Sequence, residues 1–432
     1  MSRVHIVGAG LAGLAAAVRL SHLGARLTVY EAAPRAGGRC RSYHDRELDC
    51  VIDNGNHLLL SGNKAAMTYL AEIGASDKLA GPTDAAFHFV DAPSGARWIL
   101  RPGSGLIPWW IFDPNRRVPG TRALDYVSVL RLLRARKHAT VADCVDTTGA
   151  LFRNFWEPLT VGALNTAPDQ AAAALLRPVL LQTFLRGGAA SRPLVARLNL
   201  ADALIEPALA KLDVAGVAVR AGTRVDAFTF TDGRITAMKS DGAAIPVAAE
   251  DIVILAVPPW IAESLLPGLK VPPAGEPIVN VHYRLPRAVA APGVHIVGVV
   301  GGLAQWVFAR TDAATTLASV TISAAHAVVD DSAEQIARAC WQDVAMALEV
   351  EGLPEPISRV VKERRATFDQ TPESLALRPG ALTQFPNLLL AGDWTATGLP
   401  ATIEGAVRSG FKAAALARKL NPRLHAGANF AA

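Results

Sequence analysis

A polar cluster is joined directly to an apolar run in residues 52–63, IDNGNHLLLSGN. The cluster contains a carboxylate, two amides and an imidazole, which are Asp53, Asn54, Asn56 and His57. Carboxylates and imidazoles are side chains that commonly transfer protons in enzymes. The leucines that follow, at positions 58–60, are typical of a pocket wall or of a buried strand. The juxtaposition indicates a boundary between a polar reaction centre and an apolar surface.

The beginning of the chain predicts elements that would hold a nucleotide beside this cluster. Residues 4–32 read VHIVGAGLAGLAAAVRLSHLGARLTVYEA. The run at residues 4–7 is typical of a buried parallel strand, and residues 27–30 predict a second strand. The alanine-rich segment between them predicts a helix that ends near Gly24. The order strand, helix, strand is that of a dinucleotide-binding unit.

Three glycines and one acid in this unit have the spacing that a dinucleotide requires. Gly8, Gly10 and Gly13 form G-x-G-x-x-G. The first permits a tight turn, the second lets the pyrophosphate approach the backbone, and the third lets the helix pack closely on the strand. The helix N-terminus then faces the phosphates with its partial positive charge. Glu31 ends the second strand, where it is placed to accept hydrogen bonds from the adenosine ribose.

The composition is unusually apolar for a soluble protein. Hydrophobic residues make up 51% of the 432 residues and charged residues 19%, with a mean hydropathy of +0.25. The longest weakly polar run, residues 171–185, is interrupted by Arg177 and Pro178, whereas a spanning helix needs about 20 apolar residues. The chain enters its first strand by Val4, which leaves no room for a signal peptide. We expect a cytoplasmic protein without a transmembrane helix.

Charge and cysteine content narrow the possible partners. The net charge is +5 and the isoelectric point about 9.1. The basic residues are spread along the chain without the aromatic interleaving of nucleic-acid binders. An anionic membrane surface or a phosphate-bearing ligand is therefore expected rather than a nucleic acid. The four cysteines form no C-x-x-C pair and no zinc-site spacing, which predicts reduced structural thiols and no metal centre.

The middle of the chain is predicted to return once to the nucleotide-binding domain. Residues 216–239 predict a hairpin with a turn at Asp232-Gly233, and residues 251–257 predict another buried strand. Two insertions separate the parts of the nucleotide-binding domain. The first is predicted to be mostly helical, and the second to alternate strands with helices. We predict a nucleotide-binding domain from residues 1–75, 206–260 and 381–425, and a second domain from residues 76–205 and 261–380.

Two further motifs resemble those of a large group of flavoproteins. Glu31 is followed by AAPRAGGRCRS, which contains a glycine pair, Gly37-Gly38, and Arg39. Residues 387–405 read NLLLAGDWTATGLPATIEG, a predicted strand followed by Gly392-Asp393 and a helix. Both are similar to motifs of the amine oxidases, phytoene desaturases and protoporphyrinogen oxidase, which bind FAD. The resemblance implies an α/β fold, with a Rossmann-like, amine-oxidase-like FAD-binding domain and a discontinuous α+β substrate-binding domain.

The resemblance also implies which residues contact FAD. In that group the glycine pair and arginine lie along the pyrophosphate and ribityl chain, and the aspartate bonds the ribityl chain. The N-terminus of the last helix stabilises negative charge on the flavin ring. Gly55 would let the backbone approach the cofactor, and a residue near Val225 contacts adenine. The implied contacts are Gly8, Gly10, Leu11, Ala12, Gly13, Glu31, Ala32, Gly38, Arg39, Gly55, Asn56, His57, Leu58, Val225, Gly392, Asp393, Pro400, Ala401 and Thr402.

Several segments resemble one branch of this group, the hydroxysqualene dehydroxylases of bacterial hopanoid synthesis. They are EAAPRAGGRCRSY (31–43), DNGNHLLLSGN (53–63), IPWWIF (107–112), FWEPLTVGALNT (155–166) and LAGDWTATGLPATIEGAVRSG (390–410). The implied reaction converts hydroxysqualene and reduced FAD into squalene, water and oxidised FAD. A protonated allylic alcohol ionises readily, and hydride from flavin N5 would capture the allyl cation. Such chemistry requires an acid, a dry pocket, and π faces or dipoles beside the cation.

Asp53, His57 and Glu157 are the candidates for the acid. Glu157 follows two aromatic residues and precedes a proline, where desolvation would raise the pKa of its carboxyl. Its alternative role is that of a helix-cap or ion-pair carboxylate. Asp53 has the alternative role of bracing a turn, and His57 that of contacting only the flavin. Asn165 and Tyr43 are weaker candidates.

The IPWWIF segment has two interpretations. Its aromatic side chains, with Arg101 before them and Arg116-Arg117 after them, suit a surface that enters a bilayer interface. Ordinary core packing is the alternative. A C30 isoprenoid resides in the membrane, because each CH₂ group prefers an apolar phase by about 0.8 kcal/mol. We therefore expect a peripheral contact with the cytoplasmic face of a membrane.

Two other functions stay open at this stage. The chain could run its flavin in the oxidising direction, as a carotenoid or phytoene-type desaturase or an amine oxidase. It could also be a prenyl-binding carrier of the same fold, although carriers lack the intact glycine motifs found here. The glycines at positions 298, 301 and 302 have the wrong spacing for a nicotinamide site and fit a hairpin turn. An unidentified separate reductant for FAD is therefore expected.

Overall fold

The computed structural model describes residues 2–23, 25–103, 105 and 108–425. Gly24, the predicted end of the first helix, and Ile107 of the IPWWIF segment lie outside the described residues. The strands are β1 (Arg3–Val7), β2 (Arg26–Tyr30), β3 (Ser42–Asp45), β4 (Cys50–Asp53), β5 (Leu59–Leu60), β6 (Leu79–Ala80), β7 (Phe87–Asp91), β8 (Arg97–Leu100), β9 (Pro193–Ala196), β10 (Ala218–Arg220), β11 (Ala227–Thr231), β12 (Arg234–Ser240), β13 (Ala243–Pro246), β14 (Ile252–Leu255), β15 (Ile278–Leu285), β16 (Gly293–Val300), β17 (Trp306–Thr311), β18 (Thr316–Ile322), β19 (Ser358–Glu363) and β20 (Leu388–Leu390).

The α-helices are α1 (Leu11–Ser21), α2 (Lys64–Glu72), α3 (Ser128–Leu133), α4 (Glu157–Leu164), α5 (Ala173–Gln182), α6 (Gly188–Ser191), α7 (Glu206–Val214), α8 (Pro259–Leu265), α9 (Ala333–Ala347), α10 (Pro372–Leu375) and α11 (Ile403–Leu420). Two π-helical turns, Phe152–Trp156 and Ala201–Ile205, lead directly into α4 and α7.

A five-stranded parallel sheet is built from widely separated parts of the chain. Its order is β10-β2-β1-β14-β20. The strands β14 (IVIL) and β20 (LLL) are wholly buried, as parallel strands are when both faces of their sheet are covered. The helices α1, α7 and α11 pack together around an aliphatic core that includes one face of β1. The strands predicted near residues 4–7, 27–30, 251–257 and 388–391 are confirmed.

A second sheet has seven strands in the order β19-β15-β18-β17-β16-β7-β8. Its pairs are antiparallel except for β16 and β7, which run parallel. Helix α9 packs on it through a core that includes Cys340 and Trp341. The first insertion was predicted to be mostly helical, and this is wrong for β7 and β8. Phe87 and Phe89 alternate with an exposed histidine, and β7 pairs with β16, a strand about 200 residues further along the chain.

Two predicted hairpin turns are confirmed. The predicted extent of the first hairpin is wrong at its start, because residues 218–220 form β10 and pair with β2, and Gly298 lies within β16 and not in the second turn. Strands β11 and β12 pair antiparallel, and the Asp232-Gly233 turn between them has φ angles of 49° and 71°. Both values lie in the left-handed region that two-residue hairpin turns require. Strands β16 and β17 form the second hairpin, and Gly301 in its turn has a φ of 76°.

The α/β class is confirmed by these two sheets and their helices. The residue limits of the two domains stay a prediction. Within the described ranges, no helix combines the length and the apolar character that crossing a bilayer demands.

Candidate active site

A cavity of about 760 Å³ joins the two sheets. One end lies at the carboxyl ends of the parallel strands, where Val7, Tyr30 and Ala256 line it. The other end reaches the seven-stranded sheet, where Phe89 and Trp306 line it. Open α/β sheets bind ligands just beyond the carboxyl ends of their strands, so this position is the one expected for a nucleotide site.

The three glycines of the first motif differ in what surrounds them. Gly8 has a φ of 104°, and a Cβ there would overlap the carbonyl oxygen of Ala256. A Cβ on Gly13 would overlap the carbonyl oxygen of Gly8, because α1 starts against the end of β1. Around Gly10, by contrast, no protein atom lies within 4 Å of the Cβ position, which opens into the cavity. The motif therefore leaves a bare stretch of backbone of the kind that a pyrophosphate occupies.

Glu31 is fixed at the edge of this bare stretch. Its two carboxylate oxygens accept hydrogen bonds from the backbone N–H groups of Ala9 and Ala33, both at 2.8 Å. The side chain lines the cavity and is only half-buried, so its remaining lone pairs are available to ribose hydroxyls.

Arg39 and Asp393 form an ion pair that connects the two ends of the chain. Arg39 Nη2 lies 2.7 Å from Asp393 Oδ1, and its Nη1 donates to the carbonyl oxygen of Ala366 at 2.8 Å. Both side chains line the cavity. Because its partner stands on the other side of the site, Asp393 is held in one orientation toward any bound ribityl chain.

Arg378 holds the turn that carries Asp393. Its guanidinium is buried and donates to the carbonyl oxygens of Asp393, Trp394 and Thr395 at 2.8, 3.3 and 2.6 Å, and to Thr397 Oγ1 at 3.0 Å. It also lies over the ring of Phe368. Desolvation lowers the pKa of Arg378 to about 10, and the Asp393 carboxylate opposes this effect, so the group remains a cation at neutral pH.

The last helix, α11, points its N-terminus into the cavity. Thr402 is its N-cap residue and accepts a hydrogen bond from the Gly405 N–H at 3.1 Å. Pro400, Ala401 and Thr402 all line the cavity. Such an N-terminus carries partial positive charge, which suits the negative charge that a reduced flavin ring acquires.

Most of the predicted cofactor contacts come together at this cavity. Gly13 lies outside the cavity lining, where its lack of a side chain lets α1 pack against the end of β1. Gly55 is not part of the lining, and its Cβ position faces the Asn280 side chain at 3.3 Å. The predicted residues that line the cavity are Gly8, Gly10, Leu11, Ala12, Glu31, Ala32, Gly38, Arg39, Asn56, His57, Leu58, Val225, Gly392, Asp393, Pro400, Ala401 and Thr402.

His57 is the one candidate acid of the three that lines the cavity. Desolvation lowers the pKa of its imidazole below 6.5, and the Arg39 guanidinium adds to this effect while the Asp53 carboxylate opposes it. The neutral imidazole therefore predominates at pH 7, and the rarer imidazolium form is a stronger acid than free histidine.

Asp53 lies behind the lining and braces the structure. It is buried, accepts from Ser42 Oγ at 2.6 Å and from the Leu200 N–H at 2.8 Å, and pairs with Arg310 Nη2 at 3.1 Å. These bonds tie β4 to the chain before α7 and to β17. The alternative role considered for Asp53, that of a brace, is the one its contacts support.

Glu157 does not have the buried environment expected of it. Its side chain is exposed and is not part of the cavity lining. The π-helical turn before it directs Phe155 and Trp156 inward, so the next position faces solvent. The two weaker candidates are also poorly suited. Asn165 lines the cavity, but its amide is bonded to Glu276, Thr367 and Ala324, and Tyr43 lies outside the lining.

An aromatic wall closes the apolar end of the cavity. Phe155 and Phe184 meet edge to face at 5.8 Å, and Phe184 lies 5.6 Å from Phe87. Phe89 lies 5.7 Å from Trp306. All five rings line the cavity, together with the leucines at 58–60. The arrangement offers π faces and excludes water, as a cationic intermediate derived from a hydrocarbon would require.

A family model described as flavin containing amine oxidoreductase matches residues 11–417. The chain is 45% identical to a hydroxysqualene dehydroxylase of Rhodopseudomonas palustris, across 96% of this chain and 97% of that protein. It is 46% identical to a hydroxysqualene dehydroxylase of Sinorhizobium fredii, across 96% of this chain and 98% of that protein. The chain belongs to the hydroxysqualene dehydroxylase family of flavin-containing amine oxidoreductases.

Family membership confirms the predicted cofactor class and chemistry. The chain is an FAD-dependent oxidoreductase. The bare backbone at Gly10, the fixed Glu31 carboxylate and the N-terminus of α11 fit a dinucleotide that carries a flavin. Among solved structures, a putative protoporphyrinogen oxidase from Exiguobacterium is similar in fold, with a TM-score of 0.69 and 19% identity across 98% of this chain and 99% of that chain.

Sequence reasoning missed two groups of cavity residues and one residue behind the cavity lining. The aromatic wall draws on four separate segments, and only the alternation of Phe87 and Phe89 gave a local signal for it. Glu363 and Arg365 line the cavity beside the ion pair, at the end of β19, which no motif marks. Arg378 acts through backbone carbonyls, and a lone arginine ahead of a loop carries no recognisable pattern.

Proposed function

We propose that this protein reduces hydroxysqualene to squalene, with release of water. The observation that carries the proposal is the 45–46% identity to hydroxysqualene dehydroxylases over nearly the whole chain. The cavity supports it, because a nucleotide-binding end and an aromatic hydrocarbon-binding end are continuous. Bound FAD in its reduced form would supply the hydride.

We assign the proton donor to His57. An allylic hydroxyl leaves as water only after it gains a proton, and His57 is the candidate acid whose side chain reaches the cavity. Its lowered pKa makes the imidazolium scarce at neutral pH but strongly acidic. The rate should therefore rise as the pH falls toward the pKa of His57, since the protonated fraction grows in that direction.

The aromatic wall would protect the allyl cation that remains. Phe89, Phe155 and Trp306 present ring faces or edges to the cavity, and cation–π contacts are strongest in desolvated sites. The same residues keep water away from the cation, which would otherwise be recaptured as an alcohol.

The substrate class implies two partners. A C30 hydrocarbon partitions into a bilayer, so we propose that the protein meets its substrate through peripheral contact with the cytoplasmic face of a membrane. The glycines at positions 298, 301 and 302 do not have the spacing of a nicotinamide-binding motif. We therefore propose that a separate electron donor reduces the flavin.

An anaerobic single-turnover assay tests the reaction. Photoreduced enzyme is mixed with detergent-dispersed hydroxysqualene, and the absorbance of oxidised flavin is followed while the products are identified by mass spectrometry. One squalene should form for each flavin that is reoxidised. If reduced enzyme yields no squalene, the proposal is wrong. If oxidised enzyme instead dehydrogenates a carotenoid precursor or an amine, the oxidative alternative replaces it.

Two variants locate the acid. His57→Ala should lower the single-turnover rate by about 100-fold or more, the usual contribution of a general acid. Glu157→Gln is the matched control, and its rate should stay within about twofold of wild type because the side chain is exposed outside the cavity. Equal losses in both variants would overturn the assignment to His57.

A further inference from the structure

Residues 109–137 place large apolar side chains in solvent. The segment contains two 3₁₀ turns, Trp109–Phe112 and Ala123–Val127, followed by α3. It holds five of the fourteen large hydrophobic side chains that are exposed in the described part of the chain. They are Trp109 (68% exposed), Phe112 (61%), Leu124 (79%), Val127 (52%) and Leu130 (48%).

The segment is fixed to the protein by its other side chains. Trp110 meets Tyr126 edge to face at 5.4 Å, and both belong to the core or pack against it. The Tyr126 hydroxyl accepts a hydrogen bond from the Val118 N–H at 3.0 Å. Each of the two interpretations of IPWWIF therefore holds for part of the segment. Trp110 packs inward, whereas Trp109 and Phe112 face solvent.

The same segment concentrates the positive charge of the protein. Residues 109–137 contain seven lysines and arginines against two aspartates, a net charge of +5 that equals the net charge of the whole chain. The expectation that basic residues are spread evenly is wrong here. Among the described residues, seven cations of this region take part in no salt bridge; they are Arg116, Arg117, Arg122, Arg131, Arg134, Arg136 and Lys137.

A groove of about 1440 Å³ lies in this surface. Leu124, Val127 and Leu130 line it beside several of the cations, and Trp156 lines its inner side. Trp156 lies edge to face with Phe155 at a centroid distance of 4.9 Å, and Phe155 lines the flavin cavity. The contact between these two rings therefore reaches from the groove to the aromatic end of the active site.

We propose that residues 109–137 dock the protein onto a bilayer that contains anionic phospholipid. Trp109 and Phe112 enter the interface between headgroups and acyl chains, and the unpaired cations contact the headgroups. Charge complementarity selects this occupant, because a net charge of +5 beside exposed aromatic rings matches an anionic and amphipathic surface. The purpose of the docking rests on the proposed function, because docking opens the groove to the membrane, where a C30 substrate resides.

Vesicle flotation of the holoenzyme tests the docking. Vesicles of phosphatidylcholine alone are compared with vesicles that also contain phosphatidylglycerol, in low and in high salt. The wild type should float with the anionic vesicles in low salt and much less in high salt or with neutral vesicles. Arg131→Glu/Arg134→Glu and Trp109→Ser/Phe112→Ser should each weaken binding by at least about tenfold.

Matched substitutions elsewhere serve as controls. Val214→Ser removes an apolar side chain that is 90% exposed on α7, and Arg418→Glu/Lys419→Glu reverses two exposed cations at the end of α11. Both controls should float like the wild type. Retained FAD and unchanged circular dichroism would show that every variant is folded.

The outcomes separate docking from catalysis. All variants should turn over detergent-dispersed hydroxysqualene at the wild-type rate, because none of the changed residues lines the flavin cavity. If the wild type does not float with anionic vesicles, or if controls and surface variants lose binding equally, the docking proposal fails. If the wild type floats but forms no squalene in detergent, docking stands and the proposed function fails.

Discussion

Serine at Gly10 should impair cofactor binding but not folding, whereas serine at Gly13 should impair folding. The Gly10 backbone is extended, with φ −75° and ψ 178°, and no protein atom lies within 4 Å of its Cβ position. It is also the N-cap of α1, where serine is at least as favourable as glycine. Gly10→Ser should therefore leave the apoprotein as stable as the wild type or slightly more so. Its side chain occupies the space assigned to the pyrophosphate, so FAD binding should fail.

Gly13→Ser should weaken the apoprotein itself. Serine in a helix interior gains a few tenths of a kcal/mol over glycine. The new Cβ, however, would lie well inside 3.0 Å of the Gly8 carbonyl oxygen, a separation that real Cβ atoms essentially never show. Relief requires α1 to move away from β1, and overpacking of this kind costs about 1–3 kcal/mol. The overlap outweighs the gain in helix propensity.

Urea unfolding with and without FAD measures both effects. At a free FAD concentration of 100 times Kd, binding stabilises the wild type by about 2.7 kcal/mol, whereas a hundredfold loss of affinity leaves about 0.4 kcal/mol. Gly10→Ser should match the wild type without FAD and lose most of the gain with FAD. A Gly10→Ser protein that keeps the full gain would refute the assignment of this backbone to the pyrophosphate.

Three further predictions concern side chains around the cavity. Arg378→Met removes the donor of the buried carbonyl oxygens of Asp393 and Trp394, whereas the Thr395 carbonyl and Thr397 Oγ1 each keep another donor. We therefore expect a loss of about 3 kcal/mol in urea unfolding and FAD that dissociates during gel filtration; unchanged retention of FAD would contradict the role of Arg378. Burial lowers the pKa of His282 to about 4. The unfolded chain binds the proton more tightly, so the stability that His282 confers is complete above about pH 6.5 and is lost as the pH falls toward 4, by about 3 kcal/mol at most. His282→Leu should flatten the dependence of urea midpoints on pH in this range, and an unaltered slope would exclude His282 as its cause. Trp306→Leu keeps the aromatic wall apolar but removes a π face, so we expect the single-turnover rate to fall by up to about 30-fold. Leu377→Ala, which changes an exposed residue outside the cavity, is the control.

The nucleotide half of the site was predictable because its signal is local and depends on the backbone. Gly8, Gly10 and Gly13 act through the absence of a Cβ, and Glu31 follows them at the end of the next strand. These requirements impose a fixed spacing on the sequence that does not depend on the structure of the rest of the chain. That Arg39 and Asp393 share one site could be predicted only from the resemblance to known flavoproteins, because 354 residues separate the two in the sequence.

The substrate half was less predictable because it depends on which way side chains face. Glu157 was expected beside its aromatic neighbours, but a π-helical turn sets the phase of α4 and turns the carboxylate outward. Gly55 was expected beside the cofactor, but its Cβ position lies 3.3 Å from the side chain of Asn280, a distant residue in the sequence. The neighbouring residues in the sequence determine neither which way a helix position faces nor which distant side chain packs against it.

The parallel sheet has a consequence for how the protein is made. Val4 pairs with Ile252, and Leu255 pairs with Leu390, so the sheet that carries the flavin site needs strands from three distant parts of the chain. At about 5–20 residues per second, a ribosome adds Leu390 roughly 20 to 80 s after Val4. Until then β14 lacks its neighbour β20, and the ion pair and the α11 N-terminus do not exist. The complete FAD site therefore forms late in synthesis, while β14, which is wholly buried in the folded protein, is still uncovered on one side. Cofactor supply and chaperone protection are thus a single problem for the cell.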